Sequence, residues 1–176
     1  MKKTIPTLVA IVLAATGFQS CLKSEHEDYE QWRHQNDEYL ATLNRSEYQL
    51  IIPDWAPQNS VYIKWHNDRS LTASNLVPMS TSTVDIKYEL EDIEGTKYEN
   101  TYSRTDSTYT TQPNGNVTGM LIALTTMHVG DSVTLVVPYS SGYGSGTGSS
   151  GTLKPYTNLI FHMKLKGIKA YERPNN

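Results

Sequence analysis

The chain has 176 residues, enough for one domain with a buried core and too few for two. Its formal charge of −3 excludes the basic footprint of a nucleic-acid-binding domain, so no nucleic acid is expected as a partner. Ser, Thr, Asn and Gly are plentiful and long charged runs are absent, which excludes a disordered chain and favours a β-rich fold.

The N-terminus reads as a targeting segment. Lys2 and Lys3 precede an apolar run from Leu8 to Phe18, broken only by Thr16 and Gly17. That run is too short to cross a bilayer as a mature helix and has the form of a signal peptide. The one cysteine, Cys21, follows in Gly17-Phe18-Gln19-Ser20-Cys21, so no disulfide can form within the chain. Small Ser20 before Cys21 resembles the lipobox of bacterial lipoproteins, which implies cleavage after residue 20 and acylation of Cys21. The acyl chains would tie the protein to a membrane of the cell envelope, at the periplasmic face or outer surface. The acidic run Glu25, Glu27, Asp28, Glu30 resembles a surface-export signal and reads equally well as a solvated tether.

Residues 22–28 are polar and are expected to form that tether. Tyr29, Trp32, Tyr39, Leu40 and Leu43 fall at helical spacing, with Asn36 interrupting one face, and predict a helix over about 26–43. Tyr48 to Ile52 is a short β-prone run stopped by Pro53, and residues 53–60 read as a loop. Val61 to Trp65 is a strand, and 66–82 a polar connection. Val84, Ile86, Tyr88 and Leu90 alternate with Asp85, Lys87 and Glu89, the pattern of a half-buried strand. Gly95 marks a turn. The polar stretch from Tyr98 to Tyr109 offers Tyr98, Tyr102 and Tyr109 as anchors.

Gln112-Pro113-Asn114-Gly115 signals another turn. Met120, Ala123, Leu124 and Met127 then define a helix of about nine residues with Thr118 as its N-cap. Gly130-Asp131 turns the chain into a strand at Val133–Val137. Residues 139–158 form a Gly/Ser loop. In the closing strand, Leu159, Phe161, Met163 and Leu165 point inward, and Ile160, His162, Lys164 and Lys166 point outward. Several strands with one short central helix indicate an α+β domain on an antiparallel sheet.

Gly146-Thr147-Gly148-Ser149-Ser150-Gly151 matches a dinucleotide fingerprint letter for letter. It leads into Leu153-Lys154-Pro155, so no helix N-terminus can receive a pyrophosphate, and a surface loop is expected. The five histidines lack metal-ligand spacing with carboxylates, and no metal or cofactor is expected. His128 and His162 are expected at the surface. The serines lack a nucleophile-elbow context. Asp92 and Glu94 read as solvated turn residues. Two Phe stand against twelve Tyr, and what remains is aromatic: Tyr88, Tyr98, Tyr109, Tyr143 and Phe161, with Val117 and Met120, a set that could also be plain core.

The order of these residues resembles FKBP-type peptidyl-prolyl isomerases over about residues 60–169. The resemblance rests on Val84 and Tyr88, Glu91-Asp92, Gly95 and Tyr98-Glu99. It continues through Val117, Gly119, Met120 and Met127-His128-Val129-Gly130, then Leu135 to Pro138, Tyr143-Gly144, Pro155, Leu159-Ile160-Phe161 and Leu165. It implies an antiparallel sheet wrapped around a short central helix, here with an extra N-terminal helix. The implied division is a signal peptide over 1–20, a tether and helix over 21–45, an FKBP-like domain over 46–170 and a tail over 171–176.

The implied reaction needs little apparatus. Rotation about an X–Pro bond faces a barrier of roughly 18–20 kcal/mol and takes tens to hundreds of seconds unaided. The twisted amide loses resonance and carbonyl polarisation, so a dry apolar pocket favours it. By resemblance, the Tyr143 hydroxyl and the Val117 N–H would donate to substrate carbonyls, with Phe161 beside them as the third catalytic position. Tyr88, Tyr98, Glu99 and Met120 would bind the substrate around its proline ring. Proline-containing peptides or unfolded exported proteins would be the partners. Met120, Asn116 and Ser107 stand where the family usually has Trp, an aliphatic residue and an aromatic. These changes imply weak isomerase or folding-assistance activity, and they motivate a second reading, a non-catalytic module that binds peptides or proteins. An open apolar cleft over Met120 favours the isomerase; a closed or polar one favours the binding module.

Overall fold

The computed structural model describes residues 18–102, 106–148 and 151–171, with side chains from residue 28 onward. Two helices and seven strands are arranged as α1 (Phe18–Thr42), β1 (Gln49–Ile51), β2 (Val61–Trp65), β3 (Thr83–Glu91), β4 (Lys97–Asn100), β5 (Tyr109–Thr111), α2 (Thr118–Leu124), β6 (Ser132–Val137) and β7 (Leu159–Ala170). All pairings are antiparallel, in the order β1-β2-β6-β7-β3-β4, and β5 also pairs with β3. This is the expected α+β architecture.

β7 lies at the centre. Its Phe161 is paired with Leu90 of β3 on one side and Leu135 of β6 on the other. Alternation in β3 puts Val84, Ile86, Tyr88 and Leu90 in the core, as the sequence pattern predicts. β4 and β5 share the outer edge of β3, at Glu89–Glu91 and Val84–Ile86 respectively. Buried Thr101 fills the gap between them: its N–H donates to the Tyr88 carbonyl (2.9 Å), and its Oγ1 accepts from the Tyr88 N–H (3.2 Å). The polar 98–109 stretch is thus two short edge strands, and of its three anchors Tyr102 is exposed.

α2 crosses the concave face of the sheet. Gly119 lets it approach β6 closely, since a Cβ there would lie 2.3 Å from Val137 Cγ1. The N-cap is Val117, not Thr118, and it makes no side-chain cap bond. Met120, Ile122, Ala123 and Leu124 join the main core with Met127, Val133, Leu135 and Leu159.

The opposite face is covered as well, and several expectations change there. α1 already includes Phe18, the first described residue, so residues 22–28 are helical where a polar tether was expected. Tyr39, Leu40 and Leu43 at its C-terminal end pack with Tyr62, Val136 and Ile160. Ile160 points outward from the main core but is only 5% exposed, because α1 lies over it. Asn36 is fully buried. His162 is outward-facing as expected, and it links Thr134 (3.2 Å) to Glu91 (2.9 Å) across that face. His128 is half-buried beside Arg69 rather than free at the surface. Asp92 is buried, not solvated; its Oδ1 accepts from the N–H groups of Glu94 and Thr96, both at 2.9 Å, and closes the β3–β4 turn. The signal-peptide expectation falls on residues 1–17, outside the described residues, and on the first residues of α1.

Candidate isomerase pocket

One cavity of about 630 Å³ opens between α2, the β3–β5 edge and the loop after β6. That volume falls in the range of roughly 300–1,000 Å³ usual for small-ligand sites. All seven residues given a catalytic or binding role from sequence line it: Tyr88, Tyr98, Glu99, Val117, Met120, Tyr143 and Phe161. Cys21 lies far back in α1, and its side chain is outside the described ones.

The floor and walls come from different elements. Met120, on the first turn of α2, is 3% exposed. Phe161 and Tyr88 reach the cavity from paired strands β7 and β3, and their rings meet edge to face at 5.8 Å. Tyr109 of β5 meets Tyr88 in the same manner at 6.1 Å. Such edge contacts fix ring orientation as well as burying area. Tyr109, two residues on from Ser107, thus brings an aromatic ring to this edge of the cavity. Ser107 itself bends the chain with a positive φ of 55° and does not line the cavity.

Tyr98 approaches from β4. Its hydroxyl donates to Asp92 Oδ2 at 2.8 Å. Burial, and then this bond to a carboxylate, push the Tyr98 phenol up to about 12. Tyr98 therefore stays a neutral wall of the cavity, with its donor already engaged. Glu99 is exposed at the rim and is the one charged residue lining the cavity among the described residues.

Tyr143 stands at the mouth, 40% exposed. No residue among those described accepts from its hydroxyl, and none accepts from the Val117 N–H, which precedes the first turn of α2. Both residues line the cavity. The Tyr143 loop is shaped by glycine. Gly148, at φ +71°, lies under the ring; a Cβ there would be 3.5 Å from Tyr143 Cε2 and 2.9 Å from Leu153 Cδ1. Gly148 of the fingerprint-like run is thus the seat of Tyr143 and Leu153, and the next element in the chain is β7 rather than a helix. Leu153 was not singled out from sequence, although a lone aliphatic residue in a Gly/Ser loop is a usable signal of a buried anchor. It is 7% exposed and closes one side of the cavity.

The cavity is an open cleft over Met120 with a mixed lining: aromatic and aliphatic side chains, with Glu99, Asn116 and the Tyr143 hydroxyl among them. Among the described residues, no group of three or more His, Cys, Asp or Glu is placed to hold a metal ion. What the cleft can do is desolvate a small apolar ring and offer it two neutral donors.

Comparison with known proteins bears on that geometry. The profile described as FKBP-type peptidyl-prolyl cis-trans isomerase matches residues 75–166, the segment that holds every one of the seven lining residues named above. The FKBP-type 22 kDa peptidyl-prolyl cis-trans isomerase of Escherichia coli (strain K12) is 29% identical over 92 residues. The aligned part is 52% of this chain and 44% of that relative, so the chain spans less than half of the relative's length. Among solved structures, FkpA from Escherichia coli superposes with a TM-score of 0.62 at 18% identity, covering 88% of this chain and 65% of that one. A peptidyl-prolyl cis-trans isomerase from Pseudomonas syringae pv. tomato gives 0.56 at 15%, covering 83% and 94%. At such identities these two structures establish the fold. The family profile covers just over half of the chain, and the chain belongs to the FKBP-type peptidyl-prolyl cis-trans isomerase family.

Proposed function

We propose that this protein is an exported, lipid-anchored member of the family that catalyses cis-trans isomerisation of X–Pro bonds in peptides or in unfolded exported proteins. The supporting observation is the pairing, in one open and largely aromatic-walled cleft, of two donors without partners among the described residues and a floor of Met120 and Phe161. The proline ring sits between Tyr88, Tyr98 and Phe161, over Met120. Tyr143 donates its hydroxyl to a substrate carbonyl, and the Val117 N–H donates to another. Neither donor transfers a proton, so the step needs no general acid or base. The cleft lowers the barrier because the twisted amide, less polarised than the planar one, loses less on leaving water. Each 1.36 kcal/mol of that preference is worth about tenfold in rate.

The open cleft over Met120 favours this reading over a non-catalytic binding module. Tyr109 also supports it, because it brings an aromatic ring to the edge of the cavity. A protease-coupled assay on a proline peptide tests the activity. The expected result is isomerisation faster than in buffer; a rate equal to buffer removes the enzyme.

Anchoring rests on Ser20-Cys21 after the apolar segment. Palmitate labelling of the wild type, set against Cys21→Ala, tests it. Label is expected in the wild type alone, and equal label in both defeats the anchor.

A further inference from the structure

The cleft does not itself fix Tyr143. The hydroxyl has no partner among the described residues, and the ring is partly in solvent at 40% exposure. The ring rests on the glycine backbone of its own loop. Its position is therefore set by whatever holds that loop, and part of the hold comes from α1.

Asn36 is fully buried in α1, a poor position for asparagine in both helix propensity and desolvation. Every polar group of its side chain is used. Nδ2 donates to the Trp32 carbonyl (2.9 Å), and Oδ1 accepts from the Asn158 N–H (2.7 Å). Asn158, also fully buried, returns a bond from its Nδ2 to the Asn36 carbonyl (2.7 Å). Its Oδ1 accepts from the Tyr139 N–H (2.9 Å). The Tyr139 carbonyl in turn accepts from the N–H groups of Gly142 (3.0 Å) and Gly144 (2.8 Å), the two neighbours of Tyr143.

A parallel set of contacts holds the other stem. Trp32 Nε1 donates to Thr157 Oγ1 at 2.9 Å. The Arg33 guanidinium donates to the Tyr139 hydroxyl (3.4 Å) and lies 5.2 Å over the Tyr156 ring. The Tyr156 N–H donates to the Gly144 carbonyl at 2.8 Å. Both stems thus run from α1 to the residue beside Tyr143. A leucine at position 36 would serve simple packing; a satisfied polar network fixes one geometry instead.

We propose that α1, which lies before the segment matched by the family profile, is a positioning element for Tyr143, with Asn36 as its central residue and Arg33 as its outer one. The proposal rests on the isomerase reading only for its effect on rate. The order it imposes on the loop is measurable without activity.

The test uses the full chain, with amide hydrogen exchange and isomerase kinetics read on the same variants. In Asn36→Ala, the amides of Gly142 and Gly144 are expected to exchange at least tenfold faster, over and above any common change shared by β3 and β7. The kcat/KM is expected to fall about fivefold. In a Tyr143→Phe background, Asn36→Ala is expected to lower kcat/KM no further, because its effect passes through that hydroxyl. A merely structural loss would add to the Tyr143→Phe effect, and additivity overturns the proposal. If Asn36→Ala does not fold, Arg33→Ala, at an exposed position, serves instead, with about threefold faster exchange at the same two amides. Unchanged exchange at Gly142 and Gly144 in a folded variant overturns the proposal. An inactive wild type would end the isomerase reading and leave the exchange result to decide whether α1 holds the loop.

Discussion

Two tyrosines of the cleft use their hydroxyls in opposite ways, and the difference predicts how each variant behaves. Tyr98 donates a hydrogen bond to buried Asp92, whose other oxygen closes the β3–β4 turn. Tyr98→Phe leaves that carboxylate oxygen without its donor, a loss of about 1.5–3 kcal/mol for a bond to a charged group. Burial of the phenol, and then the same bond, give it a pH signature. A phenol raised from its ordinary value near 10 to about 12 contributes its full stability below 10 and loses it as the pH climbs through 12. The urea midpoint of the wild type is expected to fall towards that of Tyr98→Phe between pH 10 and 12. Parallel curves over that window would show that Tyr98 titrates normally. Tyr143 is the converse, with no partner to lose among the described residues. Tyr143→Phe is expected to change stability by less than about 0.5 kcal/mol, as surface changes do. It should lower kcat/KM by about three- to tenfold, the worth of one neutral hydrogen bond of ~1 kcal/mol. Unchanged turnover in the protease-coupled assay would take the hydroxyl out of the reaction.

At the scale of elements, α2 carries the cleft's floor although it is too short to be stable alone. Its seven residues fall well below the roughly 12–15 an isolated helix needs. Five of them are buried, so packing on the sheet holds it. Gly119 is the closest point. Ala has the better helix propensity by about 1 kcal/mol, but its methyl would lie 2.3 and 2.8 Å from the two γ-carbons of Val137. Val137 is fully buried and β-branched, so it cannot turn away, and overpacking of this kind costs about 1–3 kcal/mol. Gly119→Ala is therefore expected to lower the urea midpoint and to weaken turnover by moving Met120; a midpoint equal to or above the wild type would show that the helix lifts freely. The spacing of Met120, Ala123, Leu124 and Met127 made α2 legible in the sequence, as alternation did for β3 and β7. β4 and β5 were not legible. They are edge strands of four and three residues whose apolar side is carried by single tyrosines among Lys, Glu, Asn and Thr, too short for a period to register.

At the scale of the whole molecule, the sheet is covered on both faces, and the second cover is what sequence patterns could not reveal. Ile160 reads as outward because alternation reports one face relative to the other, not whether a distant helix returns to cover it. Asn36 reads as an interruption because its partner, Asn158, is 122 residues away. Asp92 reads as solvated because the Tyr98 hydroxyl that pairs with it comes from the next strand. The seven cleft residues were legible for the opposite reason: they recur in a fixed order along the chain. The back face makes a prediction about cooperativity. Leu43 packs with Tyr62, Val136 and Ile160, side chains of three different strands, so α1 is joined to the middle of the sheet and not to its rim. Leu43→Ala removes about 2–3 kcal/mol, the lower part of the range for buried leucines because the site lies at the edge of its cluster at 8% exposure. If α1 belongs to the same cooperative unit, the lost stability appears everywhere. A single urea transition by circular dichroism should shift to lower concentration, and the amides of residues 36–42 and of β6 should lose the same protection. Fast exchange of 36–42 in the wild type, with β6 still protected, would mean that α1 opens by itself and that only its local contacts depend on Leu43.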